Sequence, residues 1–328
     1  MFEKKHTLIF FFFILTSTAL VLFSFMGRWN GGVFNKVDSD GPRSKAMQET
    51  YMKGVDYFVL KEKKPYFTLV ADEMTNNNSQ QKTYFLKPKG YVVGKSGEHI
   101  NYESLKGFYD KASEKLVLEE QTHLQSESTE AWARKMTYES TKDRVHMEEK
   151  VKTKTFHEKE GDWIHIDSEE AFFWPEAELS RYLGKVDGKV LRKMVYEESL
   201  YFKSNELYLD LRKSKAELTH DVWMKKQNLT ATSRRGEIFL ENYNKKLKYF
   251  VLYDDVKVIE KVMLDGKFIM RKAFSEKLEG LAGESKVILT GYPKVYQVND
   301  LIKGNRIVLR QNTEVVEVDD ANTKFKVE

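Results

Sequence analysis

Through most of its length the chain alternates apolar and polar residues with a period of two. Near the end, Ile307 and Leu309 face one way while Arg306 and Arg310 face the other. Val316 and Val318 stand in the same relation to Glu317 and Asp319. Such alternation predicts strands with one apolar and one polar face. Asn299-Asp300, Gln311-Asn312-Thr313 and Asp319-Asp320-Ala321-Asn322 read as the intervening turns, being rich in residues that bond their own backbone. The pattern begins at Val55 and recurs in Phe67 and Leu69, in Leu116 and Leu118, and on through the second half. Asp265-Gly266, between Val262-Met-Leu and Phe268-Ile-Met, is a two-residue hairpin signal. Short strands with turns at these intervals predict an all-β sandwich or open barrel. The apolar face requires a cover, and a second sheet is the expected one.

An aromatic, a polar turn and an alternating strand recur. Tyr109-Asp-Lys-Ala-Ser-Glu-Lys-Leu-Val-Leu is echoed from Tyr138, from Tyr201 and from Tyr243, with a further strand at Val151, Val222 or Val256. Repeats of this type predict an elongated stack of hairpins rather than one deep catalytic cleft. The exception is Glu169–Gly184, where Pro175 suits a first helical position and Gly184 a stop, so a short helix is predicted in a connector over 171–195.

Thr7 to Met26 is free of charge and long enough to span a bilayer as a helix. Lys4 and Lys5 precede it, which places the N-terminus in the cytoplasm. A cleaved signal peptide is the competing reading. Its apolar region is ordinarily about 7–15 residues, and Phe25-Met26-Gly27-Arg28 makes a poor cleavage site. The expected organisation is a cytoplasmic tail (1–6), a transmembrane helix (7–26) and a polar tether (27–50). A β lobe (51–170), the connector (171–195) and a second β lobe (196–328) follow.

Composition narrows the chemistry. The formal charge of +4 is interspersed, with no arginine stripe, which disfavours nucleic acid. The absence of cysteine excludes disulfides and thiolate sites. His157 and His165 flank a predicted turn, but without a third ligand they read as surface histidines, so no metal is expected. Gly90, Gly94 and Gly97 lack a phosphate-binding context, and Asp72-Glu73 and Glu169-Glu170 are adjacent acids that a strand points apart. No serine sits in a nucleophile elbow. No enzyme and no cofactor are expected.

The closing segment, with Ala273-x-Ser275, Val287-Ile-Leu-Thr-Gly-Tyr-Pro-Lys-Val and Asn299-Asp-Leu-Ile-Lys-Gly-Asn-Arg-Ile-Val-Leu, resembles the LptA/OstA family of lipopolysaccharide-export proteins. The first lobe, with its anchor, Phe67-Thr-Leu-x-Ala71, Gly107-x-Tyr-Asp and Leu116-Val-Leu, is similar to LptC. The resemblance implies an elongated β-jellyroll of two stacked lobes, open at both ends, behind the membrane helix. It implies lipopolysaccharide transport across the periplasm, with lipid received from an inner-membrane ABC transporter and passed to an LptA-like bridge protein. Acyl chains would slide inside and the sugar head would stay outside. The groove candidates are the inward-alternating Phe67, Leu69, Leu116, Leu118, Ile307, Leu309, Val316 and Val318, although any one of them taken singly reads more readily as plain sandwich core. Edge strands at Val55–Leu60 and Thr323–Val327 would pair with partner lobes. The alternatives are a structural rod with a closed core, or a carbohydrate- or peptidoglycan-binding envelope protein with aromatics exposed on one outer face.

Overall fold

The computed structural model describes residues 49–324, apart from 62–63, 78–80, 94–96, 98, 128, 157–162, 193–198, 242–245, 265, 282–283, 285, 311–312, 314 and 320–321. The expected tail, membrane helix and tether (all but residues 49–50), and residues 325–327 of the expected C-terminal edge, lie outside the described residues. Among the described residues no helix is long and apolar enough to cross a membrane.

Two long strands open the body, β1 (Glu49–Lys61) and β2 (Lys64–Asn77). Four short ones follow: β3 (Lys82–Leu86), β4 (Lys89–Val93), β5 (His99–Glu103) and β6 (Lys106–Asp110). A meander of long strands comes next, beginning with β7 (Lys115–Gln125), β8 (Thr129–Glu139), β9 (Arg144–Phe156), β10 (Trp163–Trp174) and β11 (Leu179–Leu191). It continues through β12 (Leu200–Asp210), β13 (Lys215–Lys226), β14 (Leu229–Glu241), β15 (Lys246–Leu264) and β16 (Lys267–Leu281). Short strands close the chain: β17 (Lys286–Thr290), β18 (Lys294–Gln297), β19 (Asp300–Lys303), β20 (Arg306–Arg310), β21 (Val316–Asp319) and β22 (Asn322–Lys324). Every pairing is antiparallel, and Met47–Glu328 forms one compact unit.

Each long strand serves two layers. Across β7 to β16 the register slips near mid-strand, between Glu119 and Thr122, Leu183 and Val186, Thr219 and Val222, and Tyr253 and Val256, for example. The slip is a two-against-one bulge, which bends a strand and increases its twist. On β7, β9, β11, β13 and β15 the two extra residues have positive φ: Glu120-Gln121, Glu149-Lys150, Gly184-Lys185, His220-Asp221 and Asp254-Asp255. On β10, β12, β14 and β16 a serine marks the bend. The hydroxyls of Ser168, Ser204, Ser233 and Ser275 donate to the carbonyls of Glu170, Glu206, Arg235 and Lys277 at 2.8–3.0 Å. That local bond gives the backbone a partner where the ladder lapses. β8 has Ala133 at this place, and the facing Thr122 hydroxyl is buried without a hydrogen-bond partner.

The bends fold the sheet along one crease into two facing layers. One layer runs β1–β2–β4–β5 through the second half of β7 and on to β18–β19–β22. The other runs β1–β2–β3–β6 through the first half of β7 and on to β17–β20–β21. At about 4.8 Å per strand, each layer extends on the order of 75 Å along the hydrogen-bonded direction. The inner faces meet in one apolar cluster that runs from Val55 to Leu309. Outside, the crease carries ion pairs such as Arg134–Glu149 at 2.9 Å and Lys185–Glu169 at 3.2 Å.

Two expectations are corrected. Within the expected connector over 171–195 the described residues form no helix: β10 runs to Trp174, a turn follows, and β11 runs from Leu179 to Leu191, while 193–195 lie outside the described residues. Proline and glutamate suit a tight turn as well as a helix start, and here Phe172 stacks outside on His146 at 4.3 Å while Phe173 packs inside on Tyr182 at 5.8 Å. The sheet therefore crosses from the first half to the second without interruption. The repeat begun at Tyr201 is also phased differently, because Ser204-Asn205 is the crease of β12 and the turn comes after Asp210.

Candidate functional site: an apolar interior and its mouth

With the crease on one side, the two layers present a mouth on the other, between two rows of turns. In the first half this mouth is open. A cleft of about 180 Å³ is lined from one layer by Ile100, Leu124, Ala131 and Thr155, and from the other by Val145, Phe173, Tyr182 and Leu209. Ser126, Thr129, Glu178 and Ser180 supply polar atoms around its wall. An apolar cavity of about 150 Å³ holds a benzene-sized guest, so this space admits a short length of acyl chain. Burial pushes the Tyr182 hydroxyl pKa up and outweighs the opposing bond that Thr153 Oγ1 donates to it at 3.3 Å, so the phenol stays neutral within the apolar wall. Further along, only about 10 Å³ remains between Ile164, Phe202, Leu207 and Ile238.

Large rings plug the interior beyond the cleft. Gly188 lies opposite Phe202, and Gly280 opposite Phe250. A Cβ on either glycine would fall 2.1 or 2.3 Å from the facing ring's Cζ. Each ring thus rests on bare backbone, a fit that only glycine permits.

In the second half the mouth is closed by charge. Glu260 and Arg271 are a cross-strand pair pointing inward, with side chains 1% and 0% exposed. Arg271 Nη2 donates to Glu260 Oε2 at 2.6 Å and to the Arg310 carbonyl at 2.9 Å, and Nη1 donates to the Thr313 carbonyl at 3.1 Å. Lys226 Nζ donates to the Leu281 carbonyl at 3.2 Å, and Arg192 Nη1 to the Leu247 carbonyl at 3.3 Å. In every case the cation stands on one layer and the carbonyl at the margin of the other.

The eight groove candidates all turn inward, and none lines the open cleft. Phe67, Leu69, Leu116, Leu118, Ile307 and Leu309 are fully buried, and Phe67 packs edge-on against Tyr109 at 5.0 Å. Val316 and Val318 are half-buried on β21 and cover the end of the core. The cleft residues had a weaker signal, because Leu124 and Ala131 sit in strands whose outer positions, His123 and Trp132, are themselves aromatic and stack at 5.1 Å. Of the two histidines weighed together, His157 lies outside the described residues. Burial first, then Lys189 and Lys154, hold the His165 pKa below its usual value. Among the described residues no cluster of three or more metal-ligating side chains occurs.

A folded sheet whose continuous apolar interior opens sideways offers an apolar guest a dry space. Comparison with known proteins gives the families. Residues 18–156 match the family described as lipopolysaccharide-assembly, LptC-related, and residues 201–315 match the LptA/(LptD N-terminal domain) LPS transport protein family. The first part of the chain is thus similar to the LptC-related family and the later part to the LptA-type family. Among curated proteins no match was found. Matching solved structures include LptH, the LptA homologous periplasmic component of the conserved lipopolysaccharide transport device from Pseudomonas aeruginosa. The identity is 15% over 39% of this chain and 95% of that one, with a TM-score of 0.35.

Proposed function

We propose that this chain carries lipopolysaccharide across the periplasm as a membrane-tethered segment of a β-jellyroll bridge. The observation that supports this most is the unbroken apolar interior from Val55 to Leu309 with a lateral cleft in its first half. Each methylene kept from water is worth about 0.8 kcal/mol, so an acyl chain crosses an aqueous space only along a dry path. The path binds and does not pump, so the driving force comes from an ABC transporter behind it. In this reading residues 7–26 anchor the body to the inner membrane with the N-terminus in the cytoplasm. Residues 51–170 receive lipid, and residues 196–328 pass it on. Phe67, Leu69, Leu116, Leu118, Ile307, Leu309, Val316 and Val318 would line the path when the layers part. The free edge of β1 and the β21–β22 end would each take a strand from a neighbour in the bridge.

The rod alternative requires a closed core, which the cleft argues against. A carbohydrate-binding surface is favoured by the outer-face aromatics Trp132, Trp163 and Tyr201. Their exposure is partial, since His123 stacks on Trp132 and Lys154 lies 4.5 Å over Trp163. Depleting the chain in its own bacterium tests the reading. Newly made lipopolysaccharide should accumulate in the inner membrane, and arrival at the outer membrane at the undepleted rate would overturn it.

A further inference from the structure

Three buried or half-buried cations stand in a row along the closed mouth, and their acceptors include backbone carbonyls. Arg192 comes at the end of β11, Lys226 at the end of β13, and Arg271 within β16. Each crosses to carbonyls at the margin of the opposite layer: Leu247, then Leu281, then Arg310 and Thr313. The steps follow the same stagger as the open cleft, where β5, β7 and β8 face β10, β11 and β12. The row therefore continues the line of the mouth. Apolar residues occupy the neighbouring inward positions, Met224 on β13, Val258 and Val262 beside Glu260 on β15, and Ala273 on β16, all fully buried. Packing alone does not call for arginine or lysine there. Buried charge is costly, and apolar residues of similar volume generally hold a core as well or better.

We propose that Arg192, Lys226 and Arg271 form a phosphate-exchange seam: a latch that closes the mouth when empty and binds the anionic phosphate groups of a lipid head when acyl chains enter. This rests on the transport reading above. A carbonyl is a neutral acceptor, whereas a phosphate oxygen is charged and forms the stronger hydrogen bond with a guanidinium or ammonium. Parting the layers removes the carbonyls from reach and exposes the cations where a head group must lie if its chains are inside. Arg192 and Lys226 thus each lose one carbonyl and Arg271 loses two, and each cation gains a charged acceptor in the same movement. Glu260 keeps Arg271 oriented in both states through its bonds at 2.6 and 3.2 Å. The seam favours chains that bring phosphate with them and disfavours apolar guests that do not.

The test uses the full chain in detergent and two probes with identical acyl chains, bisphosphorylated lipid A and its dephosphorylated form. Wild-type protein should bind the phosphorylated probe at least tenfold more tightly. Lys226→Met and Arg192→Gln should each lower that affinity about tenfold, the equivalent of one charged hydrogen bond, while leaving the dephosphorylated probe unaffected or better bound. Because Arg271→Met alone would strand Glu260, the paired change Glu260→Met with Arg271→Met keeps the core apolar and should act in the same direction. Equal binding of both probes by wild-type protein would overturn the seam and leave the transport reading standing. Equal weakening of both probes in the variants would reduce the cations to a structural role and likewise overturn it. Failure of wild-type protein to bind either probe would overturn both readings.

Discussion

The two halves of the mouth solve one problem in opposite ways. In the first half, the turn after β7 and the turn between β10 and β11 leave a cleft of about 180 Å³ walled by leucine, valine and aromatic side chains. In the second half, the corresponding margin is tied shut by Arg192, Lys226 and the Glu260–Arg271 pair. The strands, the crease and the apolar inner face are the same in both. What differs is whether the inward positions nearest the mouth carry apolar or charged residues. The fold alone does not set where the mouth stands open; a few charged residues at the margin do.

The largest effect should come from cutting the tie. Arg271→Ala leaves Glu260 buried and deprived of its guanidinium, and should cost about 3–5 kcal/mol in urea denaturation. The apolar double replacement Glu260→Met with Arg271→Met should recover most of that loss. If the single and double variants were equally unstable, the pair would not be what holds this margin. A second contrast concerns room. Gly280→Ala drives a methyl into the Phe250 ring in the packed half and should cost about 1–3 kcal/mol. Ala131→Phe, in the cleft, should cost less and should reduce lipid binding, because it fills free space. Equal destabilisation by the two would show that the halves are packed alike.

A smaller effect distinguishes the first half by pH. Glu139, at the turn between β8 and β9, is buried beside Lys142 at 2.9 Å, Arg144 at 2.8 Å and Lys115 at 3.5 Å. The bond from Lys142 first, and then Arg144, outweigh burial and push its pKa down to about 2. A carboxyl with a depressed folded pKa adds stability that is complete above its unfolded value, near 4.5, and is lost as pH falls toward 2. Wild-type protein should therefore weaken across that window more steeply than Glu139→Gln, as read by thermal melts at stepped pH. Parallel curves would assign the acid sensitivity to other groups.

Much of this architecture is legible in the residues. Alternation places Leu116 and Leu118, or Ile307 and Leu309, on an inner face, because burial on one side of a strand has no other period. The crease is harder to see. It is built mainly from glutamate, lysine, histidine and aspartate at positive φ, with Gly184 the single glycine among the five left-handed pairs of the meander. Glutamate, lysine and histidine carry no turn signature, and the serines at 168, 204, 233 and 275 recur at uneven spacing. The false helix at Pro175 arose because one proline-glutamate pair serves a turn or a helix start equally well. The seam was in view in the alternation itself. In Val258-x-Glu260-x-Val262 and Ile269-x-Arg271-x-Ala273 a charge occupies an inward position, and two opposite charges facing inward on adjacent strands announce a buried pair.

The central claim is that acyl chains pass through the interior and enter by the first-half cleft. Photocrosslinking in cells tests it most directly, with a benzophenone amino acid placed in turn at Leu124, Val145, Leu118 and Leu309, and at the outward controls Lys115 and Arg310. Lipopolysaccharide-sized adducts should form at the inward positions, most strongly at Leu124 and Val145 on the cleft, and should disappear when ATP is depleted. Adducts at the outward controls alone, or none at Leu124 and Val145 in folded and expressed protein, would contradict it.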